Sequence, residues 1–459
     1  MQAETDLPRR IPPLGAVALM VGVMIGTGIF RTPPFIAQQL GSPALILGLW
    51  LLGGLLSFCG ALTFAELATM MPRSGGVYVF LHQGLGRAVA FVFGWTYLLI
   101  SKPFAAAGIA VIAAEHSLSL LGVHGQGPWA HSLWVNGLTT AILVTLTIVN
   151  VRGVGLAVAV ARVLTSAKVL ALVGIVALAF LLPGGSPDHL VAGPAPVHWS
   201  LALGPAMLGI LWTYDGWADV GAVAGEVRDP QRNLPRVFLG GTLAVTGLYL
   251  AVNAAYHWVL PLPELRGLDT VAPALMQRLV GPAGGRLVAL LVVVSAIGAS
   301  HSGVLTGARV TFAQARDGLL FRALGGIHGR FQTPAASLWA QLLLAMLALW
   351  HPLLLGRPEG SPFQRLADGF TFTMWIFYGL AALSLFVLRV RAPDQPRPFR
   401  CWGYPIVPGL FLLASMAMTL LVVRGDLLDP ESRGMATLPW LGVLLAGGPV
   451  WWLWERGRR

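Results

Sequence analysis

The residues able to do chemistry in this chain interrupt apolar runs. Gly26-Thr27-Gly28 breaks the run from Gly22 to Phe30. Each glycine there weakens a helix by roughly 1 kcal/mol relative to alanine. Two readings stay open. Small residues let a neighbouring membrane helix pack closely. Alternatively the helix is discontinuous, and the N–H groups freed at the start of its second half face an anion, helped by the positive end of the helix dipole. A second run, Leu211 to Asp219, holds Trp212, Tyr214, Asp215, Gly216, Trp217 and Asp219. A carboxylate inside a membrane is costly unless paired or wetted. This stretch is therefore either a structural polar network or a second break, whose freed carbonyls accept from a cation or an ammonium group. Donors for a carboxylate beside acceptors for an amine describe a ligand bearing both on one carbon, an α-amino acid.

The chain has two lysines, Lys102 and Lys168. Lys168 stands about twelve residues from either end of its run, roughly 18 Å at helical rise. Its side chain cannot reach an interface from there, so it faces protein or a wet cavity. It is either a paired structural ion or a working charge. Lys102 precedes Pro103, which leaves a carbonyl unpaired one turn earlier. The ammonium either satisfies that kink or touches a ligand. His301 has no His, Cys or carboxylate partner at ligand spacing, so no metal site is expected. Cys59 and Cys401 are too few for a disulfide scaffold. No nucleophile–base pair or phosphate loop stands out, which disfavours a membrane enzyme and implies no cofactor.

Long helices must position these residues. Only 11% of the 459 residues are charged and 56% are hydrophobic, against roughly 25% charged in soluble domains. That excludes a soluble protein, a fibre and a disordered chain, and indicates an all-α polytopic membrane protein. Twelve transmembrane helices are expected: 14–40, 43–70, 87–114, 133–151, 155–182, 200–225, 236–260, 284–307, 335–355, 366–390, 404–424 and 435–455. The first run is a span rather than a cleavable leader, and the gaps leave no room for a soluble domain. The net charge of +11 is not a nucleic-acid footprint, because the arginines follow a topology. Arg9, Arg10, Arg73, Arg87, Arg152, Arg228, Arg232, Arg236, Arg316, Arg322, Arg330, Arg389, Arg391, Arg397, Arg400, Arg456, Arg458 and Arg459 fall on the side of the N-terminus. Arg266, Arg278, Arg286, Arg357, Arg365, Arg424 and Arg433 fall opposite. The positive-inside rule places both termini in the cytoplasm. The excess of Arg over Lys fits a bacterial plasma (inner) membrane.

The two breaks fall in spans 1 and 6, corresponding positions of two five-span repeats, as in an inverted-repeat transporter. Several stretches then resemble one family: Gly26-Thr27-Gly28-Ile29-Phe30, Phe64-Ala65-Glu66-Leu67, Ser74-Gly75-Gly76-Val77-Tyr78, Ala224-Gly225-Glu226-Val227-Arg228-Asp229-Pro230, Ala315-Arg316-Asp317-Gly318 and Cys401-Trp402-Gly403-Tyr404-Pro405. In order along nearly the whole chain, they resemble the amino acid–polyamine–organocation superfamily, and within it bacterial relatives of the L-type amino acid transporters. The resemblance implies a LeuT-like 5+5 inverted repeat, about 14–182 and 200–390, with extra helices at about 404–455, in one transmembrane domain. It implies alternating access around a site between spans 1, 3, 6, 8 and 10. There the substrate carboxylate meets Gly26, Thr27 and Gly28, and the amine meets carbonyls of Met24, Trp212 and Asp215. Trp212 stands at an aromatic gate, with Tyr214 and Lys102 as further gate or pocket residues. Lys168 stands where sodium-coupled relatives hold a cation between spans 1, 5 and 8, which implies sodium independence. Glu66 is read as structural.

Eukaryotic relatives join a single-span glycoprotein through a cysteine in the loop between spans 3 and 4. Here that loop, 115–132, has none, so no disulfide-linked glycoprotein subunit is expected; the partners are amino acid substrate and membrane lipid. Exchange or facilitated uptake is the leading reading. The rivals are a proton-coupled symporter, which a desolvated lysine keeps open, and a non-transporting amino acid sensor. A channel is disfavoured because no ring of pore charges is visible.

Overall fold

The computed structural model describes residues 7–123, 125, 127–190, 199–356, 363–428 and 438–457. Arg357, Arg433, Arg458 and Arg459, used in the charge argument, lie outside them. In chain order the helices are α1 (Pro13–Met24), α2 (Gly28–Gln39), α3 (Pro43–Met70), α4 (Val77–Leu85), α5 (Arg87–Thr96), α6 (Lys102–Leu120), α7 (Pro128–Val151), α8 (Val154–Leu181) and α9 (Trp199–Tyr214). They continue with α10 (Pro230–Val259), α11 (Leu262–Arg266), α12 (Val271–Val280), α13 (Pro282–Arg316), α14 (Ala335–Leu354), α15 (Phe363–Arg391), α16 (Ile406–Leu428) and α17 (Leu438–Arg456). The protein is an all-α polytopic membrane protein.

Among the described residues, ten helical segments are long and apolar enough to cross a bilayer, the first being α1 and α2 taken together. Of the twelve expected spans, the sixth and the last fall outside this set. The sixth is split into α9 and a 3₁₀ stretch, Trp217–Glu226, and neither half reaches the ~20 residues that span hydrocarbon. The last, α17, carries Trp440, Trp451, Trp452 and Trp454 and ends in Glu455-Arg456, an interface-like composition. The eighth span, α13, runs to Arg316 rather than 307. Hydropathy alone stops it short of Arg309, but that charge is neutralised inside the protein, so the helix continues.

Helical spacing decides which face looks inward. On α8 the residues Ala157, Ala161, Thr165, Lys168, Leu172, Ile175 and Ala179 are buried, three or four apart. Leu156, Val163, Leu170 and Leu181 are exposed, which is the face left for lipid. Lys168 thus sits mid-stripe on the inward face.

One end of the bundle is closed by polar contacts. Ile11 bridges the chain just past the 3₁₀ stretch, with its N–H on the Glu226 carbonyl (2.9 Å) and its carbonyl taking the Arg228 N–H (3.0 Å). Arg73 lies 3.2 Å from Asp317, which also accepts from the Tyr78 hydroxyl at 3.1 Å. Buried Glu66 on α3 takes two bonds from Arg389 on α15 (3.0 and 2.7 Å) and the N–H of Cys401 (2.6 Å), with Arg397 at 3.4 Å. It therefore ties α3 and α15 to the segment leading into α16, a structural role. Glu66→Gln leaves those guanidinium groups without their counter-charge, which costs about 3–5 kcal/mol for a buried pair. A lower unfolding temperature in detergent is expected, and an unchanged one would refute the clamp. Burial and the Glu66 carboxylate push the Cys401 thiol up to about 12, so it stays protonated and unreactive near neutrality.

Candidate functional site

The first break lies between α1 and α2. Helical bonding ends at Met24, and α2 starts at Gly28 with its first N–H groups lacking intrahelical acceptors. The Thr27 hydroxyl is buried and has no hydrogen-bond partner. The second break follows Tyr214. Gly216 takes φ +112, a left-handed conformation that favours glycine. A Cβ on Gly216 would stand 2.6 Å from Val23 Cγ1 and 2.9 Å from the Met24 N. The two breaks therefore cross there, backbone against backbone.

A cavity of about 50 Å³ opens beside the crossing, several times the volume one water needs. It is lined by Met24, Gly26, Thr27 and Gly28 from the first break, Trp212, Thr213 and Asp215 from the second, Lys102, Phe104, Ala105, Ala106, Gly108 and Ile109 from α6, and Ala299, Ser300 and Gly303 from α13. The walls on α6 and α13 are mostly Ala and Gly, apart from Lys102, Phe104, Ile109 and Ser300.

Most residues singled out in the sequence meet here, and two do not behave as expected. Met24 lines the cavity, but its carbonyl already accepts from the Tyr249 hydroxyl (2.6 Å) and the Gly26 N–H (2.9 Å). Both lone pairs of that carbonyl are committed. Tyr214 is not a pocket residue. Its hydroxyl donates to the Trp50 carbonyl (3.1 Å), and its ring packs on Trp50 and Tyr249. One residue of helix is about 100° of rotation, which turns Tyr214 towards α3 while Trp212, Thr213 and Asp215 face the cavity.

Asp215 stays on the cavity wall, one carboxylate oxygen accepting from the Tyr378 hydroxyl at 2.8 Å. Asp219 pairs instead with Lys102 at 2.5 Å and accepts from Thr306 at 3.1 Å. Lys102 follows a π-helical segment, Tyr97–Ser101, which accommodates the missing N–H of Pro103. Lys168 reaches across the first break. Its Nζ donates to the Gly22 and Ile25 carbonyls (2.6 Å each) and lies 3.4 Å from the Ser295 carbonyl on α13. The Ser295 hydroxyl lies 3.1 and 3.0 Å from the Ile25 and Gly26 carbonyls. One side chain thus holds the broken first span to α8 and α13 through main-chain oxygens.

Tyr249, Tyr378 and Thr306 were not foreseen, nor was the buried Arg309–Glu226 pair at 2.8 and 3.2 Å. Arg309 was the recoverable one, since an ionisable side chain within a span demands a partner. His301 bonds Ala157 and Asn150, and among the described residues no cluster could hold a metal.

The sequence matches the amino acid permease family over residues 11–445. The chain belongs to that family. As a bacterial-type relative of the L-type transporters within the amino acid–polyamine–organocation superfamily, this permease transports amino acids. It is 29% identical to the serine/threonine exchanger SteT of Bacillus subtilis, covering 98% of this chain and 97% of that one. It is 30% identical to the b(0,+)-type amino acid transporter 1 of Mus musculus, covering 91% and 83%. The human cystine/glutamate transporter is 29% identical over all of the permease and 88% of its own length.

Proposed function

We propose that the permease is a sodium-independent amino acid exchanger, or facilitator, working by alternating access in the plasma membrane with both termini in the cytoplasm. The observation that carries this is Lys168, whose ammonium bonds Gly22 and Ile25 and approaches Ser295. The place is occupied by an amino group tethered to the chain, so no sodium ion is needed to join the broken span to its neighbours. The substrate carboxylate is held by the Thr27 and Gly28 N–H groups and the Thr27 hydroxyl, the Gly26 N–H already donating to Met24, and its amine by the Trp212 and Asp215 carbonyls. Trp212, half-buried at the cavity wall, covers the substrate. The two repeats run over about 14–182 and 200–390.

The small walls suit a compact side chain, and the Asp215 carboxylate suits one that offers a hydroxyl or a positive charge. A relative named as a serine/threonine exchanger supports the first of these and favours exchange. Cys59 and Cys401 are free thiols and neither lies in the 115–132 loop, so the permease is proposed to work without a disulfide-linked subunit. Uptake of labelled serine and threonine into proteoliposomes is expected at the same rate when choline replaces sodium, and to accelerate with unlabelled amino acid inside. Strict sodium dependence would overturn the reading. Uptake driven by an imposed pH gradient without internal amino acid would favour symport with protons.

A further inference from the structure

Below the substrate cavity lies a second, smaller one of about 10 Å³, room for about one water. Three elements line both, the third span passing the small cavity first and the sixth span and α13 the large one first. On the third span, Phe93 and Tyr97 face the small cavity and Phe104, Ala105 and Ile109 the large one, with Lys102 between. On the sixth span, Asp215 faces the large cavity and Ala222 the small one, with Asp219 between. On α13, Gly303 faces the large cavity and Val310 the small one, with Thr306 between. Lys102, Asp219 and Thr306 meet at that level. Lys102 and Asp219 are only 6% and 8% exposed.

We propose that the Lys102–Asp219 ion pair is the inner gate of the substrate cavity, the contact that separates before a bound amino acid leaves towards the end bearing Arg73 and Asp317. This rests on the transport reading above. The pair fills the partition between the two cavities, and it joins the third span to the broken sixth. Its separation bares two charges, which protein tolerates only if water reaches them. The small cavity, walled by Asp219 and the Tyr97 and Tyr378 rings, is where that water first enters. The π-helical segment before Lys102 lets the third span change register locally without unwinding. Thr306 holds Asp219 from the α13 side, so the gate has a hinged partner on one side and a fixed one on the other.

The test uses a cysteine in the substrate cavity, Ala105→Cys, in full-length protein carrying Cys59→Ser and Cys401→Ser. A membrane-impermeant thiosulfonate reagent is supplied from the Arg73 and Asp317 side of proteoliposomes. With the pair intact, labelling is slow. Asp219→Asn is expected to speed it by about tenfold, the shift that losing one charge-assisted contact brings to a two-state equilibrium. The reversed pair, Lys102→Asp with Asp219→Lys, is expected to restore slow labelling. If Asp219→Asn does not fold by size exclusion, Thr306→Ala takes its place, with a smaller rise in the same direction. Unchanged labelling in folded variants, or fast labelling in the reversed pair, overturns the gate. Failure of the unmodified permease to carry any amino acid would instead count against the transport reading, since labelling reads the gate without transport.

Discussion

Lys168→Met is expected to reduce amino acid uptake to background in proteoliposomes while the protein still elutes as a folded species. Methionine fills nearly the same volume without the charge. The Gly22 and Ile25 carbonyls, each 2.6 Å from Nζ, then lose a donor at the point where the helix has no internal partner to offer. Bonds to a charged group contribute about 1.5–3 kcal/mol each, and an acceptor left buried and unpaired costs about 1–3 kcal/mol. The Ser295 hydroxyl still lies within bonding distance of Ile25 and Gly26, so the break is loosened rather than abolished. That is enough to lose a site whose donors must stay aligned. Uptake near the wild-type rate would show that the ammonium does not hold the first break.

The second large effect contrasts two glycines two residues apart. A Cβ on Gly28 would stand 2.7 Å from Thr213 Oγ1, 2.8 Å from its Cγ2 and 3.0 Å from its Cβ. Thr213 cannot step aside, because a β-branched side chain is stiff and its hydroxyl is anchored 2.8 Å from the Gly209 carbonyl and 2.9 Å from Thr32. The start of α2 must move instead, and its N–H groups move with it. Gly28→Ala is expected to lower uptake about ten- to a hundredfold, the scale of loss when binding groups shift by a fraction of an ångström to an ångström. A Cβ on Gly26 meets nothing closer than Ala299 Cβ at 3.6 Å. Gly26→Ala is therefore expected to transport within about threefold of wild type, since it leaves that geometry intact. Equal rates for the two variants would remove the close approach of α2 and α9 as the determinant of the site.

Both breaks were legible because glycine inside a long apolar run is costly and so marks a place where the backbone departs from a helix. Lys168 was legible from depth alone, since no lysine reaches an interface from mid-helix. Direction was less so. Tyr214 sits one residue from two cavity residues, and that single step turns it towards Trp50. Pairings across the chain were not legible at all. Lys102 and Asp219 lie 117 positions apart, and neither local stretch says which partner it will find. The extra turns of α13 were hidden for a related reason: hydropathy treats Arg309 as a boundary, whereas Glu226 makes it interior. The π-helical segment before Pro103 left no local mark beyond the proline.

The permease has only two lysines, both buried, one at the wall of the cavity and one beneath the broken span. Its outer surface therefore presents no side-chain primary amine. Succinimidyl dyes, amine-directed biotin and formaldehyde-type crosslinkers find no lysine on the closed molecule. The same reagents become reporters once the interior is wetted: lysine modification measures opening, with Lys102 the site expected to react first.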